Sequence, residues 1–241
     1  MDNQPNRIKT DIAGLDDLLF GGIPETNQVV IAGGPGTGKT LMSFEILYHN
    51  AKNGIPVAFI ALEEQPKTVI KNAKLAFSKF TDIDALIDKR IFIVDGEDPA
   101  LKISMSTDSQ MYSFGNILSD IEAIVKENNA KVIAIDSITV LKLMLGDPFT
   151  YRKAMLSMIS SLRRLEVTSI IVSEITSLQR ADMKSSQDFF LFDGIINLYA
   201  DTGSDKRVPI LEILKMRGSK HSWMLSPYEI TDTGFKVLSG E

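Results

Sequence analysis

Val29-Val30-Ile31-Ala32 runs into Gly33-Gly34-Pro35-Gly36-Thr37-Gly38-Lys39-Thr40, and Leu41, Phe44, Leu47, Tyr48 and Ala51 follow at helical spacing. The first four residues read as a buried strand and the last five as one face of a helix. The run between them matches the eight-position phosphate-loop pattern at every fixed position. Glycines let successive backbone N–H groups turn inward around phosphate oxygens, and the helix start adds partial positive charge. The pattern assigns Gly34, Pro35, Gly36, Thr37, Gly38, Lys39, Thr40 and Leu41 to a bound nucleotide. Lys39 is expected to reach the β- and γ-phosphates, and Thr40 to place its hydroxyl on Mg²⁺.

The same alternation continues along the chain. Val57-Ala58-Phe59-Ile60-Ala61-Leu62, Ile91-Phe92-Ile93-Val94, Val132-Ile133-Ala134-Ile135 and Ile170-Ile171-Val172 are continuous apolar runs. Such runs mark strands buried on both faces, as in a parallel sheet covered by helices. Apolar stripes at Val69, Ala73, Ala76, Phe77 and Phe80, at Ile117, Ile121, Ile124 and Val125, and at Met155, Met158, Ile159 and Leu162 supply the helices. Ser113 is a candidate cap for the second of these. The fold class is therefore α/β, with a mostly parallel central sheet flanked by helices. Gly194-Ile195-Ile196-Asn197-Leu198-Tyr199 and the stretches 208–215 and 223–230 read as further strands with short connections. Antiparallel strands on one sheet edge fit them, turning at 201–204 and 232–234. The polar stretch 104–113 and then 175–187 are the expected mobile loops. No linker or repeat interrupts the pattern, so residues 1–241 are read as one domain.

Composition sets the outer limits. The 241 residues are 44% hydrophobic and 24% charged, which is ordinary for a globular protein. The net charge of −5 gives no basic footprint for nucleic acid. There are no cysteines, which removes disulfides, thiolate metal sites and cysteine nucleophiles and fits a cytoplasmic location. Met1-Asp2-Asn3-Gln4-Pro5 is polar and unlike a signal peptide. The apolar runs are strand-sized, so no membrane insertion is expected. His49 and His221 are too few and too far apart in sequence to suggest a metal site.

Four carboxylates stand at the ends of strands. Asp136 ends the run Val132-Ile133-Ala134-Ile135, where an acid downstream of a phosphate loop holds magnesium through water. Glu63-Glu64 follows Leu62; two acids at a strand tip can orient and deprotonate an attacking water. On spacing alone the pair fits a solvated loop equally well. Glu174 ends the next strand and is a candidate for sensing the γ-phosphate side.

Together these blocks resemble the KaiC branch of the RecA-like ATPases. The match begins with Thr10-Asp11-Ile12-Ala13-Gly14-Leu15-Asp16-Asp17-Leu18-Leu19 and Gly21-Gly22-Ile23-Pro24. It continues through the phosphate loop, Ala61-Leu62-Glu63-Glu64 and Ile135-Asp136-Ser137. It closes with Lys215-Met216-Arg217-Gly218-Ser219-Lys220-His221 and Ile230-Thr231-Asp232-Thr233-Gly234, the more specific blocks. The resemblance implies a RecA-like core, ATP with Mg²⁺, and homo-oligomeric rings, usually hexameric, with nucleotide between subunits. It makes Glu63 and Glu64 the water-activating pair, and Lys215 and Arg217 groups that act in trans on the γ-phosphate. Met216, Ser219 and His221 are then expected at the neighbour's base and sugar. Without the resemblance, Lys215 and Arg217 read as a solvated strand face, and His221 as a structural or surface histidine.

The sequence also departs from the clock protein of this branch. It carries one phosphate loop rather than two. Phe189-Phe190 stands where the autokinase domain has a Ser-Thr pair, and Ser185 and Ser186 are shifted by a turn. Phe77-Ser78-Lys79-Phe80 replaces a Gly-Trp turn. The leading reading is a slow ATPase whose nucleotide state is read by another, unidentified protein, without clock-type autophosphorylation. One alternative is a RadA-like recombinase paralogue binding single-stranded DNA. Its DNA loops would be 139–149 and 175–187, which hold only Lys142, Arg180 and Lys184 as cations, so nucleic acid is not favoured. A nonhydrolysing nucleotide-binding scaffold is the other, and the intact Glu63-Glu64 pair argues against it. Trp223 is expected in the core or an interface.

Overall fold

The computed structural model describes residues 5–95, 107–175, 187–201 and 207–238. The chain opens with β1 (Arg7–Ile8), α1 (Leu15–Leu18) and β2 (Ile23–Pro24), and β1 and β2 pair antiparallel. Then come β3 (Gln28–Gly33), α2 (Lys39–Lys52), β4 (Val57–Ala61), α3 (Pro66–Ala76), α4 (Ile83–Leu86) and β5 (Ile91–Asp95). The second half holds α5 (Thr107–Asn128), β6 (Val132–Asp136), α6 (Ile138–Leu145), α7 (Pro148–Arg164) and β7 (Thr168–Glu174). A short 3₁₀ turn (Gln187–Leu191) precedes β8 (Gly194–Asp201), β9 (Val208–Met216), β10 (Ser226–Thr231) and β11 (Gly234–Val237).

The last nine strands form one sheet in the order β11-β10-β9-β8-β3-β7-β6-β4-β5. From β8 to β5 every neighbouring pair is parallel, and β9, β10 and β11 extend the β8 edge antiparallel. This is the mostly parallel α/β sheet of a RecA-type core. Both faces are covered, as continuous apolar strands require. Val29, Ile31, Val57 and Phe59 pack under α2 and α3, while Val30, Ile60, Ile133 and Ile135 pack under α5, α6 and α7. Each such fully buried side chain contributes about 1.5–3 kcal/mol of transfer free energy.

Several sequence expectations need correction. The helix placed at Ile117 begins at Thr107, so Ser113 lies inside it rather than capping it, and 107–113 is not loop. Phe114, 3% exposed, adds one turn to the buried apolar stripe ahead of Ile117, and the helix runs on beyond it to Thr107. Residues 104–106 and 176–186 of the two expected loops, and 202–204 of one expected turn, lie outside the described residues. The stretch 139–149 is mostly helical: α6 stops at Gly146, and Asp147 caps α7 by accepting from Phe149 N and Thr150 N (3.0 and 2.9 Å). That cap follows the ordinary Asp-Pro rule. The strand expected from Trp223 begins at Ser226, and Trp223 is 83% exposed, outside the core. No helix among the described residues is long and apolar enough to cross a membrane.

Candidate functional site

The phosphate loop joins the carboxyl end of β3 to the first turn of α2. Gly34 O closes it, accepting from Thr37 Oγ1 at 2.8 Å and from Lys39 Nζ at 3.0 Å. Gly38 has φ +86°, a left-handed conformation that favours glycine. A Cβ there would lie 2.7 Å from Phe235 Cζ and 2.9 Å from Ile230 Cδ1. The loop is thus backed by the β10–β11 hairpin, and Tyr228 of β10 donates its hydroxyl to Thr37 O at 2.6 Å. Burial holds that phenol well above its ordinary range, so it stays a donor. The hairpin is anchored on α2 in turn. Glu45, 1% exposed, accepts from Phe235 N at 2.9 and 3.1 Å. A Cβ on Gly234 would sit 2.1 Å from that carboxylate, which explains the glycine.

Beside the loop lies a cavity of about 370 Å³, lined by Pro35, Gly36, Gly38, Lys39, Thr40 and Leu41. Glu63, Glu64, Asp136 and Glu174 complete it from the tips of β4, β6 and β7. The register explains the convergence: these parallel strands end together, with Ala61 opposite Asp136 and Gly33 opposite Glu174. Glu174 Oε1 lies 3.6 Å from Lys39 Nζ. Asp136 is 7% exposed and lies beside Thr40 in the cavity lining. Burial is the largest reason its carboxyl is raised to about 6, reinforced by the Glu63 and Glu64 charges and opposed by Thr40 and Lys39. A buried acid lining the same cavity as the loop threonine fits a hydrated Mg²⁺ held mainly by phosphates. Among the described residues no cluster of three His, Asp or Glu side chains could hold a metal by itself. Glu63 and Glu64 are both exposed, and Glu63 accepts a hydrogen bond from the Ser137 hydroxyl. Asn72 of α3 also lines the cavity; sequence reasoning missed it, since an exposed helical asparagine carries no signal.

Lys215 and Arg217 lie elsewhere. Lys215 on β9 pairs with Ile195, which pairs with Val30, three residues before Gly33. That is about 10 Å back along β3, and two strands to the side. Lys215 Nζ donates to Phe192 O at 2.6 Å, beyond the amino end of β8 and away from the phosphate loop. Arg217 Nη2 donates to Phe190 O at 3.2 Å, and its Nη1 lies 3.5 Å from Asp193 Oδ1. Met216 is 4% exposed, packed on Gly194 and Asn27, so any contact with a neighbour would come from its backbone. Ser219 Oγ accepts from Arg7 Nη2 at 2.8 Å, and the His221 ring sits 5.1 Å from that of Trp223. The expected site residues therefore form two groups, one at each end of the sheet.

The chain is 34% identical to a UPF0273 protein of Aeropyrum pernix over 238 residues, 96% of this chain and 93% of that protein. It is 29% identical to the circadian clock oscillator protein KaiC of a Picosynechococcus, covering 96% of this chain but 44% of the clock protein. The crystal structure of the KaiC-like protein PH0186 of Pyrococcus horikoshii superposes with a TM-score of 0.79 at 29% identity, over 98% of this chain and all of that one. With a phosphate loop, strand-tip acids and this sheet order in place, the match of the KaiC ATPase family model to residues 8–241 is decisive: the chain belongs to the KaiC family of ATPases.

Proposed function

We propose that residues 1–241 act as one ATPase domain that hydrolyses ATP slowly in a homo-oligomer, with nucleotide at the subunit interfaces. The observation that carries this is the convergence of Lys39, Thr40, Glu63, Glu64, Asp136 and Glu174 on one cavity. Backbone N–H groups of 36–40 and the α2 amino terminus bind the phosphates. Lys39 Nζ neutralises the β- and γ-oxygens. Thr40 and Asp136 would hold Mg²⁺, which supplies charge neutralisation on those phosphates. Ser137 orients Glu63, and the Glu63-Glu64 pair takes a proton from the attacking water. As the water oxygen bonds to the γ-phosphorus, the bond to the bridging oxygen breaks and ADP leaves with the electron pair. Lys215 and Arg217 face away from their own cavity, which supports their use on a neighbour's γ-phosphate.

The output is a nucleotide-dependent switch read by another protein in the cytoplasm. Phe189 and Phe190 offer no hydroxyl where an autokinase needs one, so stable phosphate on Ser or Thr after incubation with ATP is not expected. The test is Mg²⁺-dependent ATP hydrolysis by the wild type, by Glu63→Gln/Glu64→Gln and by Arg217→Ala. The expected result is turnover in the wild type and a loss of about 10³-fold in each variant. A wild type that binds ATP and leaves it intact for hours, at concentrations where it is oligomeric, overturns the proposal.

A further inference from the structure

We infer that Asp193, just before β8, is the positioning residue that holds Arg217 and Lys215 ready for a neighbour's phosphates. The inference rests on the proposed trans action of those two groups.

Asp193 grips Arg217 twice. Its carbonyl accepts from Arg217 N at 2.8 Å, and its Oδ1 faces the Arg217 guanidinium at 3.5 Å. The same oxygen accepts from Arg163 Nη2 of α7 at 2.8 Å. Its other oxygen accepts from Gln28 N at 3.1 Å, and Asp193 N donates to Gln28 O at 2.8 Å. The carboxylate is thus tied to the first residue of β3, the strand that carries the phosphate loop. The adjoining carbonyls complete the mount: Phe190 O receives Arg217 and Phe192 O receives Lys215.

This arrangement does more than join two strands. A lysine and an arginine at a free surface sample many rotamers, and a group that must meet a phosphate gains from having that freedom removed beforehand. Yet Arg217 keeps 53% of its side chain exposed, so it is held without being covered. Arg163 takes the shorter contact to Oδ1, which keeps Arg217 from closing fully onto the carboxylate. One carboxylate set against Arg163, Lys215 and Arg217 leaves a positive surplus for an incoming anion. Burial first, then the Arg217 and Arg163 charges, lower the Lys215 ammonium below its ordinary value, and Asp193 opposes them.

The test is trans-complementation between subunits. Asp193→Asn alone is expected to lose about 10²-fold in ATP turnover, the scale of a misplaced catalytic group. It should still bind a fluorescent ATP analogue at its own phosphate loop with wild-type affinity. Mixed with Lys39→Ala subunits, whose own loop is disabled but whose Arg217 mount is intact, turnover should rise well above the sum of the separate proteins. Arg217→Ala mixed with Lys39→Ala is the reference for the trans reading. Full turnover in Asp193→Asn, or failure to restore it in a mixture where Arg217→Ala is restored, overturns the inference and leaves the trans reading standing. Failure to restore Arg217→Ala overturns the trans reading, and this inference with it. If Asp193→Asn does not fold, Asp193→Glu, which keeps the charge one methylene further out, is put through the same mixtures and judged by the same outcomes.

Discussion

At the residue scale, the proposed function divides the cavity into groups that bind and groups that react. Lys39 is buried, bonded to its own loop carbonyl and paired with Glu174, so it is preset to meet phosphate. Lys39→Ala is expected to lower ATP affinity at least about tenfold, an effect of about 1.4 kcal/mol, read by equilibrium binding. Glu63→Gln/Glu64→Gln keeps affinity within about twofold while turnover collapses, since neither acid belongs to the phosphate cradle. Single-turnover measurements separate the two effects. The loop residues could be assigned from a motif of fixed spacing and Asp136 from its place at a strand end, whereas Glu63 and Glu64 were singled out from a solvated loop only by the family resemblance. Asn72 and Asp193 were not legible in the sequence, because their roles depend on partners distant in sequence: α3 reaching over the phosphate loop, and β3 lying beside β8.

At the element scale, the β10–β11 hairpin acts as a brace for the phosphate loop. Tyr228→Phe leaves Thr37 O without its buried donor and should cost about 1–3 kcal/mol of stability, seen as a lower urea midpoint. Glu45 makes the brace pH-sensitive. Burial raises its carboxyl above the ordinary value of 4.5, against the His49 and Phe235 hydrogen bonds that favour the charged form. The folded protein therefore holds this proton more tightly than the unfolded chain does. The stability so contributed is complete below pH 4.5 and is lost as pH rises through the raised folded value. Measured against Glu45→Gln, which stays neutral, the wild type should lose relative stability between pH 4 and pH 8. A difference independent of pH would contradict this. The hairpin's docking was invisible in sequence, since Glu45 and Phe235 are far apart in the chain and neither belongs to a short motif.

At the scale of the whole molecule, the two ends of the sheet carry opposite chemistry. Glu63, Glu64, Asp136 and Glu174 cluster at the carboxyl ends of the parallel strands, and Arg163, Lys215 and Arg217 at the other end. If Lys215 and Arg217 act in trans as proposed, a subunit whose two half-sites lie at opposite ends of its sheet requires head-to-tail association. Turnover per subunit is then expected to fall on dilution through the assembly range, and to fall further at high salt, where attraction between the charged ends is screened. A specific activity constant across that range would show that each chain works alone. The exposed Trp223, expected in the core or an interface, sits near His221, and its fluorescence would report contacts made there on association.

The α/β alternation and the phosphate loop were determined by sequence alone. Strand burial on both faces, helical periodicity and the Gly-Lys-Thr spacing are local patterns, and each constrains the backbone within a few residues. The tertiary structure decided which residues share a site. Strand order places β7 and β6 between the phosphate loop and Glu63, and parallel register brings the four strand tips level. The antiparallel return of β9 sends Lys215 and Arg217 to the far end, where Asp193 receives them. Those outcomes depend on pairing between segments far apart in the chain, which no short window of sequence contains.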